Sequence, residues 1–510
     1  MRCNRFPLVR VYETGGGNDM LQILKETQRT FCFILLALLA NTGLHAQVVP
    51  VRTVPVASGD QFLTVPSKTI AMGGVTIAVD DSLGDAWVNP AKGSLIPESS
   101  FLAAPTFYAI SNQGGGGKTF PVAGLFQGDA WFGGAALAVQ EISNPNDEMG
   151  FFIEPAVIWD GPPRRLSDVS SRNLYARGFI GRRVGSGPWS IGVGLSTAQL
   201  NAVDGVDLLY SGSDRIDQSG TASDMRLGLY RTGVRDRFSL VGVYNHLSMT
   251  HDVTWTDILW REHEPPLATR RMETNEDKTR TLGGQLSWER DLKAPGWRVG
   301  ATMTMNHKSH PKIPNYQIQN IPRDPGITWA YEMGFGVART RGNTTFGLDM
   351  VLQPIASETW QETDETVTTE AGQVIAVGNR TIENDFSITN VILRTGLSHR
   401  VGDIEFLGGL EMRSYDYKLA QVNHLEDDVR DLEESWMEWS PTLGAIIHFA
   451  DVDLQYTARF TTGTGRPGLA WEPEARPMAA NDFIIAPEGP LTLQDALVHT
   501  HQLSVRIPIR

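Results

Sequence analysis

Paired period-two segments, joined by links that alternate between short and long, constrain this chain more than any other feature of its sequence. Ile191, Val193 and Leu195 alternate with Gly192, Gly194 and Ser196, and Trp297, Val299, Ala301, Met303 and Met305 alternate with Arg298, Gly300, Thr302, Thr304 and Asn306. Near the end Val452, Leu454, Tyr456, Ala458 and Phe460 alternate with Asp453, Gln455, Thr457 and Arg459. Successive side chains of a strand point to opposite faces, so each run has one apolar face and one that is polar or tiny. Links at 184–187, 232–235, 291–295, 339–342, 401–402 and 450–451 are turns. Those at about 142–171, 200–220, 249–278, 308–326, 361–381, 419–434 and 462–497 are long. Turns at one end and loops at the other are the rhythm of a transmembrane barrel. A sandwich of Greek keys has no cause to keep that rhythm, and closure removes the exposed edges that so many strands would create. The expected fold is all-β: a transmembrane antiparallel β-barrel of even strand number.

Segments at 101–110, 118–126 and 130–141, six hairpins beginning near 172, 221, 279, 327, 382 and 435, and a last strand at 498–509 make sixteen strands. Both ends of the barrel then fall on the side of the short turns. The last strand carries Leu503, Val505, Ile507 and Ile509 on one face; it ends without an aromatic residue, and Pro508 is tolerated at a strand end.

The chain opens with basic residues, an apolar run from Phe31 to Ala40, and a polar stretch ending at Ala46, which reads as a secretory signal peptide over residues 1–46. The apolar run is about ten residues, half of the roughly 20 that a membrane-spanning helix needs. Both cysteines, Cys3 and Cys32, fall in this leader, so the exported chain carries no disulfide framework. The leader's five basic and three acidic residues make +2, so the −14 of the whole chain becomes −16 over the remaining 464 residues. That charge argues against a nucleic-acid partner. No linker composition interrupts residues 99–510, which read as one barrel.

Before the barrel lies Thr69–Ser94, TIAMGGVTIAVDDSLGDAWVNPAKGS. Val75, Ile77 and Val79 alternate there with Thr76, Ala78 and Asp80, which reads as a short strand; Asn89-Pro90 then reads as a sharp change of direction, because proline fixes its φ and disfavours helix in the residue before it. Ala71, Gly73, Gly74, Asp80, Asp81, Asn89, Pro90 and Ala91 together resemble the amino-terminal signature of the long-chain fatty acid transporter (FadL-like) family of the outer membrane, and of the related PorV-like proteins. The resemblance implies fourteen strands rather than sixteen. It also implies an amino-terminal plug, placed at 47–98, with Gly73, Gly74, Asp80, Asp81, Asn89, Pro90 and Ala91 as its gating motif. The function it implies is passive uptake of a hydrophobic small molecule such as a long-chain fatty acid, captured at the outer loops and released sideways or to the periplasm. The alternative is a PorV-like barrel that binds or shuttles secreted proteins. Outer-membrane lipid and lipopolysaccharide are the expected surroundings.

Catalytic chemistry finds little support. Gly114–Thr119 (GGGGKT) lacks the first glycine of a phosphate loop, Asn112 standing in its place, and no GxSxG or HExxH is present. His499 and His501 share a strand face but have no third metal ligand, and read as interfacial side chains. No enzyme activity, cofactor or metal is expected. Acidic clusters at 358–370 and 426–438 read as solvated loops, with divalent-cation bridging to lipopolysaccharide as the functional alternative. Trp255, Trp260, Trp360, Trp436 and Trp439 read as an outer aromatic girdle. Parity points Arg298, Glu405, Glu411, Arg413, Asp453 and Arg459 into the lumen. They either pair to hold the plug and wall or clamp a ligand head group. On that assignment the lumen is polar, and Val75, Ile77 and Val79 of the plug are the expected apolar lining.

Overall fold

The computed structural model describes residues 52, 55–112, 114–143, 170–206, 213, 215–261, 264–310, 326–363, 365–369, 372–467 and 493–509. Residues 1–46, read from the sequence as a leader and holding both cysteines, lie outside them. So do most of the links at 142–171, 308–326 and 462–497, Asp364 and Glu370 of the first acidic cluster, and the side chain of Trp260.

Sixteen strands form one antiparallel sheet that closes on itself. They are β1 (Ser100–Ala103 continued by Thr106–Ile110), β2 (Gly116–Gln127), β3 (Trp131–Ser143), β4 (Ser170–Arg183), β5 (Trp189–Leu200), β6 (Arg215–Thr232), β7 (Asp236–Arg261) and β8 (Glu264–Asp291). The circuit continues with β9 (Trp297–His310), β10 (Gly326–Arg341), β11 (Thr344–Glu362), β12 (Arg380–Val401), β13 (Ile404–Asn423), β14 (Asp428–His448), β15 (Asp453–Pro467) and β16 (Leu493–Pro508). The two pieces of β1 share one register: Ala103 lies opposite Val505 and Thr106 opposite Gln502. The break falls at Pro105, which has no N–H to give. Ser100 opposite Pro508 completes the closure, leaving no open edge. Sixteen, the number read from the hairpins, is therefore the number of strands in the wall, and the fourteen implied by the family resemblance is corrected.

The outer face is a band of exposed apolar residues, for example Leu137, Leu195, Met303, Phe335, Phe406 and Leu443. A soluble protein would bury such a band; around a closed barrel it is the lipid-facing surface. Several long links are not loops. β7 and β8 stay paired up to Arg261 opposite Glu264, β13 and β14 up to Asn423 opposite Asp428, and the 361–381 link holds a two-stranded ribbon, Val367–Thr368 against Val374–Ile375. Above the lipid both faces meet water, so the period-two signal fades although the ladder continues.

Residues 55–98 run along the inside of the wall. Val56 makes a parallel bridge to Gly465, and Gln61, Ser67, Gly73, Thr76 and Asn89 each hydrogen-bond wall residues or their own neighbours on the way down. Two short helical turns, Lys68–Ala71 and Asp85–Val88, and a 3₁₀ turn, Pro90–Leu95, are the regular structure there. The alternation at Val75–Asp80 does not make a strand. Its N–H groups at Thr76 and Ile77 go to the Asp349 carboxylate at 2.6 and 3.0 Å instead of to a ladder. The chain bends so that Val75, Ala78 and Val79 pack on Ala338, Leu407 and Ile446, while Ile77 packs on Val351 and Ile392. Burying side chains of this size is worth about 1.5–3 kcal/mol each. Only Ile77 of the three expected lining residues borders the lumen cavity; Val75 and Val79 are spent on the wall.

Candidate functional site

The signature residues occupy distinct seats. Gly73 and Gly74 have φ of 66° and 78°, which L side chains avoid. Gly73 donates its N–H to Thr442 Oγ1 at 2.9 Å, and a Cβ on it would come within 2.5 Å of the Thr395 carbonyl oxygen. The wall reciprocates with glycine: a Cβ on Gly409 would meet Gly73 N at 2.3 Å, and one on Gly396 would meet Met72 O at the same distance. Asn89 caps the 3₁₀ turn by accepting from Ala91 N at 3.0 Å. Its amide also donates to Ser239 Oγ at 2.7 Å and to the Leu240 carbonyl at 3.2 Å. Pro90 and Ala91 lie against Gly192, where a Cβ would strike the Pro90 carbonyl carbon at 2.6 Å. The tiny inward residues of the wall thus make room for this segment.

Asp81 folds its own neighbourhood, its carboxylate accepting from Ser67 Oγ and from the backbone of Lys68, Leu83 and Gly84. Asp80 reaches across to the wall, 2.6 Å from Arg298 and 3.3 Å from Arg237. Burial opposes ionisation of Asp80, but these two guanidiniums outweigh it and hold the carboxyl below its usual range. Nearby, Lys92 stands 3.2 Å from Asp85 and 3.7 Å from Glu289. One ammonium shared among several carboxylates leaves Asp85 poorly compensated, and burial pushes it up to about 7.

The inward charges named from parity do face the lumen side, each with a partner. Arg298 also pairs with Asp291 at 2.8 Å, Glu405 takes Lys68 at 2.5 Å, and Arg459 takes Asp60 at 2.8 Å. Asp453 holds His448 at 2.8 Å and Arg506 at 3.2 Å. Arg413 lies in a wall network, 3.8 Å from Glu438 and 3.7 Å from Glu411, beside Arg52 and Tyr415. Three of the six, Arg298, Glu405 and Arg459, bridge the inner segment to the wall. Glu438, assigned by composition to an acidic loop, is buried in the Arg413 network. Among the described residues no group of three or more His, Cys, Asp or Glu could hold a metal ion.

Between the inner segment and the wall lies a cavity of about 290 Å³. Leu63, Val65, Ile70 and Ile77 supply apolar surface; Asp224, Arg226, Arg394, Glu411 and Arg459 are among its charged lining. Most of those charges are spent: Arg226 on Asp224 at 2.6 Å, Arg394 on Glu411 at 3.1 Å, Arg459 on Asp60. Arg177 is different. It points inward from β4, its guanidinium 5.3 Å above the Trp87 ring, donating to the Trp87 carbonyl at 3.3 Å and to Thr64 Oγ1 at 3.4 Å. Among the described residues no carboxylate pairs with it, and its Nε and the Trp87 indole N–H have no hydrogen-bond partner. A cation withdrawn from water, whose neighbouring carboxylate Asp224 is already spent on Arg226, is a standing electrostatic demand for an anion. Sequence reasoning missed Arg177 because both faces of its strand are apolar, Leu174 and Ile180 outside, Tyr175 and Phe179 inside, so no alternation marks its parity.

Fold and site together define the class: an outer-membrane β-barrel with a chain segment seated in its lumen and a charged cavity beside it. No family model matches the chain, and no curated protein matches it. Among solved structures it is similar to a Pseudomonas aeruginosa FadL homologue, at 10% identity and TM-score 0.42 over 90% of this chain and 100% of that one. It is also similar to the toluene transporter TodX of Pseudomonas putida, at 12% identity and TM-score 0.37 over 90% and 100%. The E. coli ferric-catecholate import receptor Fiu matches at 8% identity and TM-score 0.38 over 81% and 82%.

Proposed function

We propose that the protein is an outer-membrane channel for hydrophobic small molecules, with long-chain fatty acids as the substrate class, in which residues 47–98 act as a plug that gates passage. The observation that carries this reading is Arg177, an uncompensated guanidinium beside apolar lining in the lumen cavity. A carboxylate head group would complete its forked donors, and the hydrocarbon tail would gain about 25 cal/mol per Å² buried against Leu63, Val65 and Ile70. The cavity, about 290 Å³, lies at the lower bound of roughly 300 Å³ for small-molecule sites. A long chain therefore requires the inner segment to shift, which is what gating means here, and the seats at Gly73, Asp80 and Asn89 are where it would yield.

Native mass spectrometry of protein extracted from outer membranes in mild detergent tests the substrate class: a near-stoichiometric fatty acid supports it, and a bound polypeptide with no small hydrophobe supports a secreted-protein partner instead. Arg177→Ala is expected to lower uptake of labelled oleate by about 10- to 100-fold, the range of about 1.5–3 kcal/mol for a charged hydrogen bond, with Arg177→Lys between the two. Unchanged uptake in a folded Arg177→Ala barrel sinks the assignment.

A further inference from the structure

The lipid face of the barrel carries a concave apolar groove of about 1010 Å³ on β1 to β6 and β16. Its walls are Phe101, Val122, Leu137 and Leu195, each 58 to 62% exposed, and its floor is small: Gly124, Ala135, Ala176 and Gly178. Below it, toward the end with the short turns, the register sets an arginine directly opposite a tryptophan twice over. Arg182 lies opposite Trp131, its guanidinium 5.3 Å from the ring; Arg231 lies opposite Trp189 at 5.8 Å. Both pairs face outward, and among the described residues neither arginine forms an ion pair. The stacked ring costs the guanidinium few of its N–H donors, so both cations remain able to bind an oxyanion at the level where Trp sits in a membrane interface.

We propose that this groove and its two Arg–Trp pairs are a binding site for one glycerophospholipid of the periplasmic leaflet. The phosphate diester sits on Arg182, with Arg231 as its neighbour, and an acyl chain lies in the groove. The spacing fits: Gly178 is four residues from Arg182 on the same strand, roughly 13 Å at about 3.3 Å per residue. That is inside the roughly 15 Å of one leaflet, half of a core about 30 Å thick. The end with the short turns faces the periplasm, which selects a phospholipid over lipopolysaccharide as the occupant. This inference uses the outer face of the wall and none of the ion pairs inside; Arg177, which carries the transport reading, borders the groove but takes no part in the proposed lipid contacts.

Two glycines allow the groove to be filled without strain. A Cβ on Gly178 would meet nothing nearer than Gly134 O at 3.4 Å, and one on Gly124 nothing nearer than Phe101 Cε1 at 3.8 Å. The test is native mass spectrometry of the purified full-length protein titrated with 1-palmitoyl-2-oleoyl-phosphatidylglycerol, with oleate as a parallel probe. Wild type is expected to retain a single phospholipid. Gly178→Leu and Arg182→Ala should each lower retention at least tenfold, whereas Arg339→Ala, from the stacked Trp297 pair on β9 and β10 away from the groove, should leave it unchanged. Retention undiminished in Gly178→Leu, equal loss in Arg339→Ala, or retention of oleate in place of phospholipid would each overturn the proposal. Slower migration on boiling verifies that every variant is folded, and Gly124→Leu replaces Gly178→Leu if that variant fails this control.

Discussion

At the scale of single residues, space and charge decide how the inner segment is held. Gly73 and Gly342 have nearly the same backbone, φ 66° and 58°, but a Cβ on Gly342 meets nothing within 4 Å, whereas on Gly73 it enters the wall backbone. Left-handed backbone costs a non-glycine residue roughly 1–2 kcal/mol. Gly342→Ala should therefore cost only that, and Gly73→Ala should also unseat the segment. Limited trypsin digestion checks it: cleavage at Lys68 and Lys92 accelerates in Gly73→Ala, while Gly342→Ala digests like wild type and both keep a folded barrel. Asp85 gives a pH dependence. Its carboxyl, pushed up to about 7 when folded from an ordinary value of 3.8, binds its proton more tightly in the seated state. The seat is thus strongest below about pH 4 and weakens as pH rises through about 7. Hydrogen-exchange protection of residues 85–95, corrected for intrinsic rates, should fall between pH 5 and pH 8 and become flat in Asp85→Asn. A wild type without that fall would refute the assignment.

At the scale of elements, the strands were legible wherever lipid enforced alternation and illegible beyond it. The outward residues of β7 run Phe238, Leu240, Gly242 and Tyr244, then His246, Ser248 and Thr250, so the apolar stripe stops while β7 continues to pair with β8. Two of the expected girdle tryptophans belong to this region and face inward. Trp255 is buried with Val206 and Val253, and Trp436 packs on the Tyr417, Leu419 and Leu432 cluster; Trp439, 40% exposed, does face out. A tryptophan beside acidic residues has no period to reveal its face. Because the projecting part of the β7–β8 hairpin lies above the lipid band, replacing Val253–Glu273 with an Asn-Gly turn should leave a folded barrel with unchanged gel migration when unboiled. Loss of the folded band would show that the projection is needed for closure.

At the scale of the whole molecule, the all-β class, the even number and the count of sixteen were present in the sequence, because turn chemistry and lipid contact are local and repeat with every hairpin. The signature at 71–91 marked a segment that the structure seats against inward glycines, although its apparent strand dissolved once Asp349 offered a carboxylate to its N–H groups. The partners of Arg298, Glu405 and Arg459 were not readable, since Asp80, Lys68 and Asp60 stand hundreds of residues away and meet them only when the wall closes around the segment. Arg177 and the lipid-facing groove are of the same kind. Where lipid enforces alternation, the sequence marks which face a side chain takes, since strand parity is set by covalent geometry; which charges are answered and which are left open depends on long-range pairings that exist only after closure.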